Sequence, residues 1–220
     1  MFSTIILGAA ILSGFSYIAF QVTNFALFSK YNKSWLQKQT QPIREEIAKT
    51  GLEVIKLPLE SWNELSLGYE RSSSRFSLKG IEVGVVKSIF YENLMLIGKK
   101  SQLGMQDNYT MLVIVDDIEL VMVGNRIEVK VFINDKNVGV INKVRLTYQT
   151  STGVKAQIRN ELNSKNPMLE VNGKKVGYLH PLSEVGNPFN TRLIEHIDAN
   201  SQEEFVRAMP LIIHYLMKNR

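Results

Sequence analysis

The sequence predicts an α+β fold that is mainly β, with an N-terminal transmembrane helix, an antiparallel β-barrel-like domain and a buried C-terminal helix. Three observations lead to this prediction. The chain begins with a long charge-free stretch, continues with short β-branched and aromatic runs separated by turn residues, and ends in a helical segment that is apolar on nearly every face. The predicted parts are an anchor at 1–28, a basic linker with a short helix at 29–51, and a β-rich domain at 52–220 that ends in a helix at 201–218.

The stretch Phe2–Phe28 contains no Asp, Glu, Lys, Arg or His. About 20 apolar residues are enough for a helix to span the hydrocarbon core of a bilayer. No basic residue precedes the stretch, and it is longer than the apolar core of about 7–15 residues found in signal peptides. We therefore expect a retained anchor rather than a cleaved signal.

The residues after this stretch are basic, with Lys30, Lys33, Lys38, Arg44 and Lys49 against Glu45 and Glu46. The positive-inside rule then predicts a single-pass membrane protein whose N-terminus is outside and whose C-terminal domain is cytoplasmic, or in the equivalent compartment of an organelle. Basic residues beside a membrane helix also attract anionic headgroups. Candidate headgroup contacts here are Lys30, Lys33, Lys38 and Arg44.

Two pairs of small residues four positions apart lie within the predicted anchor: Ala9 with Ser13, and Ala10 with Gly14. This spacing lets two helix backbones approach closely, although small residues are common in membrane helices for other reasons. The pairs are candidate helix–helix contacts with a second copy or with another membrane protein.

Composition excludes several classes of function. The chain has 220 residues, a formal net charge of +5 and no Cys, so disulfides and thiolate metal sites are absent. Most of the basic excess lies beside the anchor. Nucleic acid is therefore not expected as a partner, and membrane lipids are.

The segment 29–51 is predicted to be a polar linker and a short helix that begins at Pro42 and ends at Gly51. From Ile81 onward, strand patterns dominate, and residues 101–109 are predicted to be a loop. Asp116-Asp117, Asn134-Asp135-Lys136-Asn137 and Asn172-Gly173 are predicted turns. The predicted strands are IEVGVVKSIFY, NLMLIGK, TMLVIV, IELVMV, RIEVKVFI, VGVI, KVRLTYQT, LEV, KKVGYL and RLIEHI.

The C-terminal segment begins with a capping box, Ser201 to Glu204, and continues as FVRAMPLIIHYLMKNR. Its apolar residues do not form one stripe, which indicates a helix surrounded on all sides. It is too short to span a membrane, so we expect the β-sheet to wrap it. Pro210 is expected to kink it.

A sheet closed around an apolar C-terminal helix resembles the tubby-like group, which includes LURP-one-related proteins and phospholipid scramblases. The similarity covers about residues 75–220. It depends on VNGKKVGYL, RLIEHI, Asp198 and FVRAMPLIIHYL in that order, and on the hairpin FINDKNVGVI. The resemblance implies a β-barrel around a central helix, and other β-barrel or α+β domains remain alternatives.

No motif for catalysis, cofactor binding or metal binding is present, so the protein is not expected to be an enzyme. His180, His196 and His214 lack ligand spacing and are expected to be surface or hydrogen-bonded residues. The pairs Lys99-Lys100 and Lys174-Lys175 are expected at loop tips. Such tips are usually solvated, but they become candidate headgroup contacts if they face the bilayer.

The sequence therefore predicts a membrane-anchored, non-enzymatic module that binds phospholipid or a protein partner at the membrane surface. The alternative is a structural or assembly subunit of a larger membrane protein complex. No cofactor is predicted.

Overall fold

The computed structural model describes residues 31–56, 64–72, 80–102, 105–161, 164–182, 188–197 and 202–218. The chain divides into two compact units, Met1–Lys38 and Gln39–Arg220. Helix α1, Lys33–Lys49, begins in the first unit. The side-chain carbonyl of Asn32 accepts a 2.8 Å hydrogen bond from the backbone N–H of Trp35, which caps the helix. The aromatic rings of Tyr31 and Trp35 pack edge to face, with their centroids 4.9 Å apart.

In the described part of the second unit, twelve antiparallel strands form one sheet in which every strand pairs with the next along the chain. The strands are β1 Leu65–Arg71, β2 Ile81–Ser88, β3 Asn93–Gln102, β4 Met105–Val115, β5 Ile118–Gly124, β6 Glu128–Ile133, β7 Lys136–Asn142, β8 Thr147–Thr150, β9 Lys155–Arg159, β10 Met168–Val171, β11 Lys174–Leu179 and β12 Ile194–Ile197.

The two ends of this sheet come together through the segment that precedes β12. Ser66 in β1 forms an antiparallel bridge with Arg192. The N–H of Leu67 donates to the carbonyl of Thr191 at 2.8 Å, and the N–H of Leu193 donates to the carbonyl of Leu65 at 2.7 Å. The sheet therefore nearly closes into a barrel, which leaves few unpaired edge groups.

The C-terminal helices supply the centre of the core. Helix α2 is Gln202–Arg207 and helix α3 is Met209–Met217, with a break at Ala208. Every residue of α3 is buried, and its side chains belong to the same core cluster as the inner faces of the strands. Pro210 lies in the first turn of α3, where its missing N–H has no helical partner to lose. The expectation of a helix wrapped by the sheet is confirmed.

The outer face of β3 is covered by the part of α1 that belongs to the second unit. A Cβ on Gly98 would overlap with the side chain of Ile43, so glycine at this position lets the helix lie directly on the strand. Arg44 Nη2 pairs with Glu119 Oε2 on β5 at 2.6 Å, and Arg44 Nη1 donates to Thr40 Oγ1 at 2.8 Å. The hydrogen bond to Glu119 raises the pKa of the Arg44 guanidinium.

The predicted fold class, α+β with a transmembrane helix, is wrong. The described chain is mainly β, because its helices lie against the outer face or inside one sheet and do not build a separate layer. In these residues no helix is long and apolar enough to cross a membrane. The stretch Phe2–Phe28, to which the transmembrane prediction refers, lies outside the described residues.

Two local predictions are also wrong. Helix α1 begins nine residues before Pro42, because Asn32 provides the cap. Residues 101–109 are predicted to be a loop, but β3 extends to Gln102 and β4 begins at Met105. Pairing between neighbouring strands, with Ser101 opposite Tyr109, overrides the weak local strand pattern there.

Candidate functional site

One edge of the sheet, which we call the upper rim, is where β3, β5, β7 and β9 end and where β4, β6, β8 and β10 begin. Two of its loops, 125–127 and 143–146, have the same construction. Asn125 Oδ1 accepts from the backbone N–H groups of Ile127 and Glu128 at 2.8 and 2.9 Å. Asn142 Oδ1 accepts from those of Val144 and Arg145 at 3.1 and 2.8 Å. Both loops are thus shaped by an asparagine side chain.

The two loops are joined to each other through Lys143. Its backbone N–H donates to the carbonyl of Ile127 at 2.9 Å, and its Nζ donates to the carbonyl of Asn125 at 2.9 Å. These bonds place Lys143 beside Ile127, and Val144 follows Lys143 in the chain. The loops therefore form a single surface, which we call the rim patch: Arg126, Ile127, Lys143, Val144 and Arg145.

The rim patch exposes aliphatic side chains between basic ones. Ile127 is 61% exposed and Val144 is 80% exposed, while Arg126 and Arg145 are exposed beside them. A single exposed aliphatic residue is ordinary on a protein surface. Two adjacent ones, each beside an arginine, can enter the apolar boundary of a bilayer while the guanidinium groups meet anionic headgroups.

The two lysine pairs predicted as headgroup contacts lie at opposite edges of the sheet, where opposite ends of the strands meet the loops. Lys99 and Lys100 lie near the upper rim, within β3 rather than at a loop tip. Lys174 and Lys175 are exposed at the start of β11, on the opposite edge, which we call the lower rim. Because each turn of an antiparallel meander alternates between the two edges, the structure does not bring the two pairs together.

The other predicted headgroup contacts differ in how exposed they are. Lys33 and Lys38 are exposed on α1. Arg44 is half-buried and is held by Glu119, so its charge is already paired. Lys30 and the small residues Ala9, Ala10, Ser13 and Gly14 lie outside the described residues.

The rim patch is not predicted from the sequence, because two predicted strands extend too far. RIEVKVFI and KVRLTYQT were predicted to be strands from their first residues, whereas β6 begins at Glu128 and β8 at Thr147. A signal was present in the sequence. Asn125 and Asn142 each stand two residues before an aliphatic residue, and asparagine at that spacing favours a loop.

Other features of the described residues do not build a reaction centre. No group of three His, Asp or Glu side chains there could hold a metal ion. Asp116 has φ 52° and stands with Asp117 in the exposed turn between β4 and β5, which confirms the prediction of a turn. A surface groove of about 610 Å³ lies over β8, β9 and β10. The carboxylate of Glu170 in this groove is already paired: it accepts from Gln157 Nε2 at 2.9 Å and from Arg159 Nη2 at 2.7 Å.

Comparison of the chain with protein-family models, with curated proteins and with solved structures found no match.

Proposed function

We propose that this chain is a membrane-attached, non-enzymatic β-rich module that binds anionic phospholipid through its upper rim. The observation that supports this most strongly is the rim patch, where exposed Ile127 and Val144 stand between Arg126, Lys143 and Arg145. The charge-free stretch Phe2–Phe28 and the basic residues after it support attachment to a membrane, with the domain on the cytoplasmic side. The resemblance to the tubby-like group stays a prediction.

Attachment makes a weak contact sufficient. A surface tethered to its target by a short linker meets it at an effective concentration in the millimolar range. Each basic residue near an anionic leaflet contributes about 1 kcal/mol, so the three basic side chains of the rim patch are enough to favour one orientation.

The test uses the absence of native cysteine. The full-length protein carries one fluorophore-labelled cysteine, at Ile127→Cys or Val144→Cys, and is reconstituted into vesicles with a nitroxide quencher on the acyl chains. Asp117→Cys and Lys174→Cys, both at exposed positions on the lower rim, are the matched controls. We expect quenching at both upper-rim positions in phosphatidylserine vesicles, and a smaller effect in pure phosphatidylcholine or at high salt.

Two results would contradict this function. Quenching at the lower rim but not at Ile127 would assign the opposite edge to the membrane. Absence of quenching at all four positions would show that the domain stands away from the bilayer.

The alternative function is a structural or assembly subunit of a larger membrane complex. The observation that favours it is the pair of small-residue spacings, Ala9 with Ser13 and Ala10 with Gly14. Purification of the full chain in mild detergent distinguishes the two functions. A stoichiometric partner that is lost with Gly14→Ile supports the subunit, and a monomer whose upper rim is quenched by lipid supports the module.

A further inference from the structure

A cavity of about 460 Å³ opens at the upper rim, beside the end of α3. Its walls come from the loop after β7, the end of β9 with the loop that follows it, the segment after β11, and the last turn of α3. Small-molecule sites in proteins usually have volumes of about 300–1,000 Å³. The cavity is therefore large enough for one small ligand, and it shares no lining residue with the groove over β8, β9 and β10.

Part of this cavity is apolar. Its lining includes Leu146, Ile158, Leu182 and two prolines, Pro167 and Pro181. Ile158 is buried, and Leu146 and Leu182 are half-buried against the core of the sheet. The backbone N–H of Ile158 donates to the carbonyl of Leu146 at 2.9 Å, which holds these two residues together. The aliphatic side chains can shield an alkyl chain from water.

Leu146 is kept at this wall against the preference of its backbone. Its φ is 50°, in the left-handed region that Gly and Asn adopt most readily. The loop itself is shaped by Asn142, whose Oδ1 accepts from the N–H groups of Val144 and Arg145, and this shape requires no leucine. Packing against the core accounts for part of the choice, and an apolar ligand beside Leu146 accounts for the rest.

The cavity also contains two ammonium groups, on Lys165 in the loop after β9 and on Lys218 at the end of α3. Both side chains are exposed, and neither makes an ion pair or a side-chain hydrogen bond in the part of the chain that the structure describes. The C-terminal end of a helix carries roughly half a negative charge. This accounts for a lysine at position 218, but it does not balance a second lysine at position 165.

Two acidic residues adjoin these segments, and each already has a partner. The carboxylate of Glu161 accepts from the hydroxyl of Tyr178 at 3.3 Å. The carboxylate of Glu195 accepts from the side-chain amide of Asn166. The positive charge in the cavity is therefore available to an anion from outside.

Other polar groups that line the cavity are engaged locally. The Tyr215 hydroxyl donates to the carbonyl of His180 at 3.1 Å. The Ser164 hydroxyl donates to the carbonyl of Asn166 at 3.1 Å and accepts from its N–H at the same distance. Recognition of a charged group thus depends on the two lysines, while the leucines and Ile158 contact whatever is apolar.

We propose that this cavity binds one single-chain amphiphile with an anionic head, such as a fatty acid or lysophosphatidic acid. Its chain contacts Leu146, Ile158 and Leu182, and its head accepts from the ammonium groups of Lys165 and Lys218. A free anion would leave the apolar wall in contact with water, and a neutral lipid would gain nothing from the lysines. The two kinds of ligand share this chemistry and differ only in the head, a carboxylate or a phosphate.

This site goes beyond the proposed function and does not depend on it. The rim patch contacts a charged surface through exposed side chains, whereas the cavity takes up one molecule and includes no residue of the rim patch. The two features lie on the same rim, because Leu146 directly follows Arg145. Quenching at Ile127 is measured in anionic vesicles, and binding in the cavity is measured in a zwitterionic bilayer, so one result can fail without the other.

The experiment uses the full-length protein in phosphatidylcholine nanodiscs. A palmitic acid that carries a diazirine on its chain is added and photolysed, and peptide mass spectrometry locates the label. We expect label on Leu146, Ile158 or Leu182, and its removal by excess palmitate or palmitoyl lysophosphatidic acid. Monopalmitoylglycerol has the same chain without a charge and is the matched control. It should compete roughly tenfold less well, because it lacks both ion pairs.

Variants test the charged and apolar parts separately. Lys165→Gln and Lys218→Gln should each weaken competition by palmitate roughly threefold, as expected for an exposed ion pair. Lys136→Gln, at an exposed position on the lower rim, removes the same charge and should have no effect. Leu146→Asn should reduce labelling but leave the thermal unfolding seen by circular dichroism nearly unchanged, because relief of the left-handed leucine offsets the lost packing.

Each outcome decides the proposal. Competition at lower concentration by palmitate identifies a carboxylate head, and competition at lower concentration by lysophosphatidic acid identifies a phosphate head. Equal competition by monopalmitoylglycerol overturns the site, because the charge of the head would then have no role. Absence of competed label on the cavity walls also overturns it, wherever else the probe reacts. An equal effect of Lys136→Gln does the same, because binding would then reflect only net charge.

Discussion

The two rims of the sheet differ in what selects their residues. At the lower rim, Asn134, Asp135, Asn172 and Gly173 form two-residue turns with φ between 49° and 79°. Such turns require left-handed backbone, which Asn, Asp and Gly adopt most readily. At the upper rim, Arg126, Ile127, Val144 and Arg145 have negative φ and only Leu146 of these two loops is left-handed, with φ 50°, while the asparagine before each loop shapes the backbone.

This difference determines which of these loops are informative about function. Polar and acidic residues in the two lower-rim turns follow from turn geometry, whereas the β2–β3 turn on the same rim exposes Phe90 and Tyr91. Nothing in the backbone of the upper rim demands an arginine or an exposed aliphatic side chain. Its composition therefore points to what it contacts, and the substitutions below separate the two kinds of constraint.

Ile212→Asp should have the largest effect, because it disrupts the core that both rims share. The Ile212 side chain is 2% exposed, and a carboxylate buried there without a partner costs several kcal/mol against a domain stability of about 5–15 kcal/mol. We expect the cooperative thermal unfolding seen by circular dichroism to be lost. Ile212→Leu should cost less than about 1.5 kcal/mol. A native-like melt for the aspartate variant would show that α3 is peripheral.

Acidification should destabilise the protein through His214, whose pKa is lowered mainly by its burial in α3. Its pKa is about 4 in the folded protein and about 6.5 when unfolded. Between these values the unfolded state binds the extra proton, so stability is present above pH 6.5 and is lost as pH falls toward 4. The loss approaches about 3 kcal/mol.

Urea unfolding across this pH range in phosphate-free buffer measures the effect. The difference in unfolding free energy between the wild type and His214→Gln isolates the imidazole, because other titrating groups are common to both proteins. A difference that does not change with pH would contradict the prediction.

Glycine substitutions should show that packing constrains the upper rim and backbone conformation the lower one. Gly124→Ala is expected to cost about 1–3 kcal/mol, because its Cβ overlaps with Tyr109. Gly173→Ala is expected to cost about 1–2 kcal/mol, because φ is +79° although nothing lies within 4 Å of the new Cβ. In a Tyr109→Leu background, urea unfolding should show a smaller cost for Gly124→Ala only. Equal costs in both backgrounds would remove the distinction.

Charge removal at the rims should leave stability nearly unchanged and alter only lipid contact. Arg126→Gln with Arg145→Gln should change the unfolding free energy by less than about 0.5 kcal/mol, since both residues are exposed. The equilibrium between bound and free rim, measured by quenching of a label at Val144→Cys, should shift by roughly 30-fold. Lys174→Gln with Lys175→Gln is the matched control at the lower rim, and a similar shift there would show that the whole domain responds to charge.

Strands with strong local signals were predicted well, whereas the rim patch was not. The hairpin at Asn172-Gly173 is confirmed, with β10 and β11 on either side, and the turn at Asp116-Asp117 separates β4 from β5. The rim patch was missed because RIEV and KVRL alternate like strands even where the chain has left the sheet. Hydrophobic alternation does not say where pairing ends.

His214 shows the same limit in the core. A lone histidine in an apolar helix is ordinarily a surface or hydrogen-bonded residue, and this is the prediction for His214. The structure instead buries it and leaves Nε2 without a partner. Its burial comes from strands that are distant in sequence and pack around α3, so no local pattern could reveal it.

The sequence by itself determined most of the turns and strands, the end of α1 just before Gly51 and the burial of α3. Each of these depends on the chemistry of neighbouring residues: left-handed backbone at Asn and Gly, alternation in strands, and apolar side chains in every direction around a helix. Only the tertiary structure decided that the sheet meets itself at Ser66 and Arg192 and that the two predicted lysine pairs lie at opposite rims. The rim patch also depends on tertiary structure, because hydrogen bonds between loops 125–127 and 143–146 form it. These features depend on which strand ends share an edge, and that follows from pairing across the whole sheet rather than from any local run of residues.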